Sequence, residues 1–360
     1  ASGTRKELSS QNDALSDQLN GLRTDLSGYR RQISSQLDII SSQMELLGDS
    51  AADGMDRIRD QLIRDADTET YTDISDSEDI TGARGILSGC RDNGGITADI
   101  NGGGVIGLIG VEMDLESDLS VEEIGSKSFN ADCNIRATVL DSRNFGKVTV
   151  KNNCAGGIVG RADAGAVIRC DNFGAVKTTN GSYAGGVAGK SHYLIRNCYS
   201  LCDVTGQDYV GGIAGLGCSA NNNYVMTGIS SDTGEKNGSI FGDMEEDVSS
   251  SVYDNYYIDE GVSAVNNLTY ESAARPIRYQ ELLEVEGIPQ EFRSFTVQFV
   301  ADGKEVKRIV RGYGQKIRPE EIPPVPERNG LAGVWEDKDF SFIRRNMVVE
   351  AQYSDMMTAV

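Results

Sequence analysis

A glycine signature recurs along the middle of this 360-residue chain, and it constrains the fold more than any other feature of the sequence. Each copy reads Gly-Gly, then two branched or small apolar residues, then a final Gly. The four copies supply the repeat glycines Gly103, Gly104, Gly107, Gly156, Gly157, Gly160, Gly185, Gly186, Gly189, Gly211, Gly212 and Gly215. Self-similarity of this kind is typical of a fold in which one small structural unit is repeated.

The residues before each signature repeat as well. Val148, Val176 and Val204 are spaced by 28 residues, and no proline precedes Pro276, which suits central strands whose N–H groups all donate. A single unit of this size cannot bury its apolar side alone. We therefore predict a mainly β fold, a right-handed parallel β-helix or β-solenoid over residues 83–260. A β-propeller or β-sandwich is the alternative, although propeller blades need longer repeats.

The repeat glycines have an expected role in the backbone. A chain that bends at every corner needs tight turns and positive φ angles, which glycine adopts without strain. The first two copies, at Gly103 and Gly156, are 53 residues apart. We therefore expect either one extra rung or a long acidic insertion between them.

These residues resemble a known bacterial repeat. The sequence Gly-Gly-[Ile/Val]-[Val/Ala]-Gly, placed after a strand such as Asn172–Val176, is similar to the GLUG repeat of bacterial surface proteins, over about residues 85–257. The resemblance implies a β-helical fold, export from a bacterium and a place at the cell surface, where such repeats occur in adhesin-like proteins. GLUG repeats also lie beside the catalytic domain of some exported peptidases, but they carry no catalytic residues themselves.

The first part of the chain has a different pattern, with apolar residues at alternating steps of three and four. The seam runs through Leu15, Leu19, Leu22, Leu26, Tyr29, Ile33, Leu37, Ile40, Met44 and Leu47. One additional four-residue step, between Ile33 and Leu37, locally unwinds the supercoil of such a heptad repeat. We predict an α-helical coiled-coil segment that forms homo-oligomers through residues 8–47. The alternative is a helix packed on the rest of the same chain.

The last part of the chain alternates apolar and polar residues from Phe295 onward, and Asp302-Gly303 favours a hairpin turn. It resembles the β-grasp-like Listeria–Bacteroides repeat of Gram-positive surface proteins, which implies a small β-grasp-like module. The predicted segments are therefore a coiled coil at 1–65, an acidic solvated linker at 66–82, the β-solenoid at 83–260, a connector with a short helix at 261–292 and the β-grasp-like module at 293–360.

Charge and histidine content narrow the chemistry. The 55 acidic residues outnumber the 34 basic ones, and the net charge of −21 argues against nucleic acid or an anionic membrane as partner. No apolar run approaches the ~18 residues of a membrane span. The one histidine, His192, follows a glycine signature, and we expect it in an exposed loop. We predict no metal site, no cofactor and no catalytic residue.

All seven cysteines lie between Cys90 and Cys218. Cys170 and Cys198 share a repeat position, so stacking would bring them within disulfide distance. We favour an inward ladder of small apolar thiols, because the number of cysteines is odd. Disulfides are the first alternative, and metal binding by Cys198 and Cys202 is the second.

The combined features favour a non-catalytic protein of the bacterial cell surface. It would act in adhesion or as a scaffold, and its β-solenoid would meet a host or matrix glycan or protein ligand. One alternative is a carbohydrate-active β-helix enzyme, which needs carboxylates that converge in one groove and a raised pKa for one of them. Another is the non-catalytic N-terminal part of a larger exported peptidase.

Overall fold

The structure is a computed structural model that describes most of the chain, which is mainly β. The chain divides into two units, Ala1–Thr70 and Tyr71–Val360, which we describe separately. The described residues are 15, 18–37, 39–41, 43–44, 72–76, 85–110, 134–244, 251–266, 268, 272–328 and 331–354.

The first unit contains an α-helix over the described residues between 15 and 44. Its seam is open to solvent, with exposed fractions that range from 50% at Ile40 to 72% at Leu26. Other parts of the predicted segment 8–47, such as 8–14 and 45–47, lie outside the described residues. No helix in the described part of the chain is both long enough and apolar enough to cross a lipid bilayer.

The second unit is built on four parallel sheets, which the chain visits in turn. Sheet A contains Arg91–Asp92, Arg143–Asn144, Asp171–Asn172, Tyr199–Ser200, Tyr224–Val225, Asn255–Tyr257 and Ala274–Pro276. Sheet B contains Ile96–Ala98, Val148–Val150, Val176–Thr178, Asp203–Gly206 and Gly228–Ser231. Sheet C contains Gly102–Gly103, Ala155–Gly156, Ala184–Gly185, Val210–Gly211 and Asn237–Gly238. Sheet D contains Ile86–Ser88, Ile106–Ile109, Thr138–Leu140, Val159–Ala162, Ala166–Ile168, Ala188–Arg196, Ala214–Asn221, Phe241–Met244 and Val252–Tyr253.

We call one passage of the chain through the four sheets a rung. Residues at equivalent positions of the repeat pair directly between rungs, as Val148 does with Val176 and Val176 with Val204. Gly103 likewise pairs with Gly156. Because these two glycines are direct neighbours, no extra rung separates the first two copies, and the residues beyond one rung's length are an insertion. Residues 111–133 of that insertion lie outside the described residues.

The core lies between the sheets and consists of ladders of equivalent side chains. One apolar position is fully buried in four successive rungs, at Ile158, Val187, Ile213 and Ile240. In the first three of these rungs it follows a glycine pair, and in the fourth it follows Gly238-Ser239. Parallel strands stack about 4.8 Å apart, so each of these side chains packs on the same type of residue above and below it. The sequence repeat thus becomes a repeat in packing.

Part of the predicted acidic linker 66–82 belongs to the second unit and pairs with another of its strands. Thr72–Asp73 forms a two-stranded parallel sheet with Asn134–Ile135. Ser75 is buried, and its hydroxyl accepts a hydrogen bond of 2.8 Å from the Ala137 N–H. Residues 66–71 and 77–82 of the predicted linker lie outside the described residues.

The C-terminal part forms a four-stranded sheet. Its strands lie in the order Lys304–Arg311, Phe295–Ala301, Met347–Ser354 and Ala332–Trp335. The two central strands are parallel, whereas each outer strand is antiparallel to its neighbour. The hairpin predicted at Asp302-Gly303 is confirmed, since both residues have positive φ and Ala301 pairs with Lys304 across them.

This sheet packs on the rungs. Each of four rungs contributes one buried apolar side chain, from Phe173, Leu201, Met226 or Ile258, to a cluster shared with the C-terminal sheet. The same cluster contains Leu282 of the connector helix Tyr279–Leu283, which the sequence predicted, and Phe292 of a 3₁₀ turn at Gln290–Phe292. A second 3₁₀ turn covers Pro319–Glu321.

A largely buried arginine reinforces this contact. Arg345 lies between two acidic side chains of the rungs, with its Nε 2.7 Å from Asp203 Oδ1 and its Nη2 2.5 Å from Glu260 Oε2. The Arg345 side chain is only 12% exposed, so its positive charge has lost most of its hydration. The carboxylates of these two partners compensate for that loss. The connector helix and the C-terminal sheet are therefore joined to the rungs by apolar packing, and Arg345 adds an ion-pair network.

Candidate functional site

The repeat glycines do not have the backbone conformation that the sequence suggested. Their φ angles are not positive, so the expectation that they supply left-handed corners is wrong. Non-glycine residues occupy those corners instead. Before sheet A they are Asp141, Arg169, Asn197, Asn222 and Asp254, and before sheet C they are Asn101, Cys154, Tyr183, Tyr209 and Lys236.

Close backbone approach explains the glycines. A Cβ added to Gly185 would lie 1.9 Å from the Ala188 carbonyl oxygen and 2.6 Å from the Cα of Ala214 in the next rung. A Cβ on Gly186 would lie 2.1 Å from the carbonyl oxygen of Gly212. These distances leave no room for a side chain, so the glycines allow each rung to fold tightly and to stack on the next.

One rung was not recognised among the repeats of the sequence. Asn237–Gly238 pairs with Val210–Gly211, and an added Cβ at Gly238 would meet the Phe241 carbonyl oxygen at 1.9 Å. Its sequence has Ser239 at the second glycine position and the aromatic Phe241 at a position that is aliphatic in the other copies. The spacing of Gly238 and Gly242, which equals that of Gly211 and Gly215, could have revealed it.

A cleft of about 410 Å³ opens between sheet A and the connector. Its lining is polar and aromatic rather than aliphatic, and it draws on four consecutive rungs. The lining residues are Asp141, Arg143, Arg169, Asp171, Asn197, Tyr199, Asn222, Tyr224, Gly287 and Pro289.

The first row of side chains in the cleft comes from the residues with positive φ that precede the strands of sheet A. Arg169 donates from Nε to Asp141 Oδ1 at 2.7 Å, and Asn222 donates from Nδ2 to Asn197 Oδ1 at 2.7 Å. Asn and Asp tolerate the left-handed conformation better than other non-glycine residues, which suits them to this position. The stacking of rungs then aligns their side chains along one edge of the cleft.

The second row comes from the strands of sheet A, two residues further along each rung. Arg143 Nε lies 2.9 Å from Asp171 Oδ2, and Tyr199 stacks on Tyr224 with ring centroids 5.4 Å apart. The stack continues to Tyr256, whose ring centroid is 5.0 Å from that of Tyr224. Parallel pairing places these rings at the spacing of neighbouring strands, so they form a continuous ladder.

Burial shifts the acid–base properties of the cleft. It raises the pKa of Asp171 to about 6, with the nearby carboxylates of Glu291 and Asp141 adding to the effect and the Arg143 guanidinium opposing it. Burial also raises the pKa of Tyr199 to about 12. Two arginines and two aspartates line the cleft. Their formal charges cancel, in contrast to the strongly acidic chain as a whole.

The raised pKa of Asp171 predicts a pH dependence of stability. Between pH 4 and 6 the folded protein binds more protons than the unfolded chain, so the free energy of unfolding falls as pH rises through that window. Asp171→Asn should remove this slope and raise stability at pH 7 by roughly 1–2 kcal/mol. Urea unfolding at several pH values measures both the slope and the free energy of unfolding at pH 7. Asp302→Asn, at a half-exposed position outside the cleft, is the control, and an unchanged slope in Asp171→Asn would contradict the prediction.

The described cysteines at equivalent positions form part of the core. Cys170 and Cys198 are fully buried, and the Cys170 N–H donates to Cys198 Sγ at 3.4 Å. Burial raises the pKa of Cys170 and of Cys202 to about 12, which keeps both as neutral thiols. Cys198 and Cys202 belong to different apolar clusters, and no three His, Cys, Asp or Glu among the described residues are placed to hold a metal.

His192 is not in a loop. It lies within the longest strand of sheet D, Ala188–Arg196, and its side chain is 19% exposed. The glycine signature before it suggested a turn, but in this rung the strand continues through residues that form a turn in the preceding one, around Asp163–Gly165.

No family model, curated protein or solved structure matches this chain. Function is therefore inferred from the described side chains, and from the cleft in particular.

Proposed function

We propose that this chain is a non-catalytic protein of the bacterial cell surface, which acts in adhesion or scaffolding and binds a host or matrix glycan in the cleft on sheet A. The observation that carries the proposal is the lining of the cleft, where paired charges, side-chain amides and stacked tyrosines come from successive rungs. We also propose that the chain belongs to the GLUG-type surface proteins and comes from a bacterium.

The pairing pattern supports a β-solenoid. Strands of sheets A, B and C stack in parallel with equivalent residues in register from rung to rung, as Gly156, Gly185 and Gly211 illustrate. A solenoid displays each surface position once per rung, which produces rows of side chains suited to an extended ligand. The order of the C-terminal sheet, with a parallel central pair and antiparallel edges, supports a β-grasp-like module.

The chemistry of the cleft favours a neutral polyhydroxylated ligand. Hydroxyl groups both donate and accept, and the cleft offers guanidinium donors, carboxylate acceptors and amides that do both. Because Arg143 is paired with Asp171 and Arg169 with Asp141, no net charge selects for an ionic ligand. A glycan chain presents repeated hydroxyl groups, which match the repeated polar side chains of the rungs.

The exposed helix supports the proposed homo-oligomer through residues 8–47. Nine apolar seam residues between Leu15 and Met44 are at least half exposed, and their spacing matches the knobs-into-holes packing of a coiled coil. We propose a second copy of the same helix as the partner, because its apolar residues have the same spacing.

Glycan binding is tested on an array with the full chain, followed by affinity measurement on the best ligand. Asn222→Gly removes the amide and keeps the positive φ, and Arg143→Ala removes a guanidinium, so each should weaken binding about tenfold. Tyr253→Ala is the control, because Tyr253 is 48% exposed and lies outside the cleft. Binding that survives both cleft variants would place the ligand elsewhere, and no binding to any glycan would contradict the proposal.

One observation favours a second candidate, a carbohydrate-active enzyme. Asp171, whose pKa is raised to about 6, shares the cleft with Asp141, and a raised carboxyl pKa suits a general acid. A reducing-sugar assay on each bound glycan distinguishes the two functions. Product release that disappears in Asp171→Asn identifies the enzyme, whereas binding without turnover supports the non-catalytic protein.

A further inference from the structure

The two ion pairs that line the cleft differ in geometry and in burial. Arg169 holds Asp141 through two hydrogen bonds, from Nε to Oδ1 at 2.7 Å and from Nη2 to Oδ2 at 3.1 Å. Arg143 approaches Asp171 through Nε, which lies 2.9 Å from Oδ2. The Asp141 side chain is 50% exposed and that of Asp171 only 7%, while that of Arg143 is 47% exposed. The second pair therefore joins an accessible guanidinium to a buried carboxylate.

The surroundings of Asp171 disfavour its negative charge. Burial removes most of its hydration, and the carboxylates of Asp141 in the preceding rung and Glu291 in the connector repel it. The guanidinium of Arg143 opposes both effects but does not outweigh them, because the pKa of Asp171 is still raised to about 6. Burial raises the pKa of Tyr199, beside it in the cleft, to about 12, so this phenol stays neutral. Asp171 therefore takes up a proton in mildly acidic solution.

Protonation of Asp171 changes what Arg143 can bind. At neutral pH the charges of the lining cancel, so no ionic ligand is selected. Once Asp171 is neutral, Arg143 loses its anionic partner and one negative charge disappears from the cleft, while Arg169 remains held by Asp141. A guanidinium without a carboxylate partner binds an external carboxylate well, since it can donate two parallel hydrogen bonds.

We propose that the cleft binds an acidic glycan in mildly acidic solution, with the Arg143 guanidinium on a sugar carboxylate that replaces Asp171 as its partner. The proposal rests on the glycan-binding function proposed for the cleft. The bound anion favours the protonated form of Asp171, so binding takes up a proton and affinity rises as the pH falls. A neutral glycan makes no such demand, and its affinity should depend little on pH.

A trimer of galacturonic acid and the corresponding neutral trimer of galactose are the probes. Isothermal titration calorimetry with the full chain, at pH 5.5 and 7.5 and constant ionic strength, measures both affinities. The sugar carboxylates stay ionised at both pH values, so the protein supplies the titrating group. We expect the acidic trimer to bind about tenfold more tightly at pH 5.5, and the neutral trimer to change by less than about twofold.

Asp171→Asn imitates the protonated side chain. This variant should bind the acidic trimer at pH 7.5 as tightly as the wild type does at pH 5.5, and its affinity should be nearly independent of pH. Asp302→Asn is the matched control, because it removes one negative charge at a half-exposed position outside the cleft. It should keep the wild-type pH dependence, which separates the effect of Asp171 from the general loss of negative charge.

Three outcomes overturn the proposal: an acidic trimer that does not bind, one that binds equally at both pH values, or a wild-type pH dependence that persists in Asp171→Asn. If that variant does not fold, calorimetry of the wild type at pH 6 in two buffers of different ionisation enthalpy decides. Uptake of roughly half a proton or more on binding the acidic trimer supports the proposal, and no uptake overturns it. Neutral glycans that bind on the array uphold the glycan-binding function even then, whereas an array without any bound glycan rejects that function.

Discussion

Replacing Gly185 with Ala is expected to destabilise the second unit by roughly 3 kcal/mol or more. The added Cβ would lie 1.9 Å from the Ala188 carbonyl oxygen within its own rung and 2.6 Å from Ala214 Cα in the next. Both obstacles are backbone atoms in paired strands, which cannot move without breaking hydrogen bonds between rungs. Overpacking at this position therefore disrupts two rungs at once.

Thermal unfolding followed by circular dichroism measures the effect, and we expect a fall in Tm of roughly 6–12 °C. Gly95→Ala is the matched control, because a Cβ there meets only the Lys147 carbonyl oxygen at 3.8 Å, an ordinary contact. Equal Tm values for Gly185→Ala and wild type would show that the rungs do not approach each other as closely as the structure has them.

The second large effect is expected in the proposed coiled coil. Leu22→Lys combined with Leu26→Lys should convert the proposed homo-oligomer to a monomer, because both leucines belong to the exposed seam, at 65% and 72%. Burial of each leucine contributes about 1.5–3 kcal/mol, so the association of two helices should weaken by at least about 100-fold. Light scattering over a range of protein concentrations measures the change in mass.

Thr24→Lys with Ser27→Lys is the control, since it adds the same charge to the same helix outside the seam. This variant should remain oligomeric. A wild-type protein that stays monomeric at high concentration would reject association through residues 8–47. An oligomer that persists in the leucine variant would show that another surface holds the copies together.

The pairing of equivalent residues between rungs could be predicted from the sequence, but the role of the glycines and the rung at Gly238 could not. The interval that joins Val148, Val176 and Val204 predicted which residues pair, because stacking requires equivalent residues at every level. The role of the glycines was assigned wrongly, since spacing does not distinguish a positive φ from a close approach. The rung at Gly238 was missed because two of its signature residues are replaced.

Most of the candidate site could not be predicted from the sequence. Asp141, Asp171 and Tyr224 lie far apart along the chain, and only the stacking of rungs brings them to one cleft. The wall of that cleft comes from Gly287 and Pro289 in the connector, whose place depends on long-range packing. Acidic residues were noted in sequence, but nothing in their spacing marked Asp171 as the buried member.

By itself the sequence determined the local and periodic properties of this protein: the heptad seam, the paired positions of the rungs, and the hairpin at Asp302-Gly303. Each depends on neighbours that recur at a short, regular interval, so a pattern suffices to predict it. Only the tertiary structure decided the packing of the C-terminal sheet on Phe173 and Leu201, the lining of the cleft, and the place of His192 within a strand. These depend on contacts between distant segments, where shape and burial rather than periodicity select the partner.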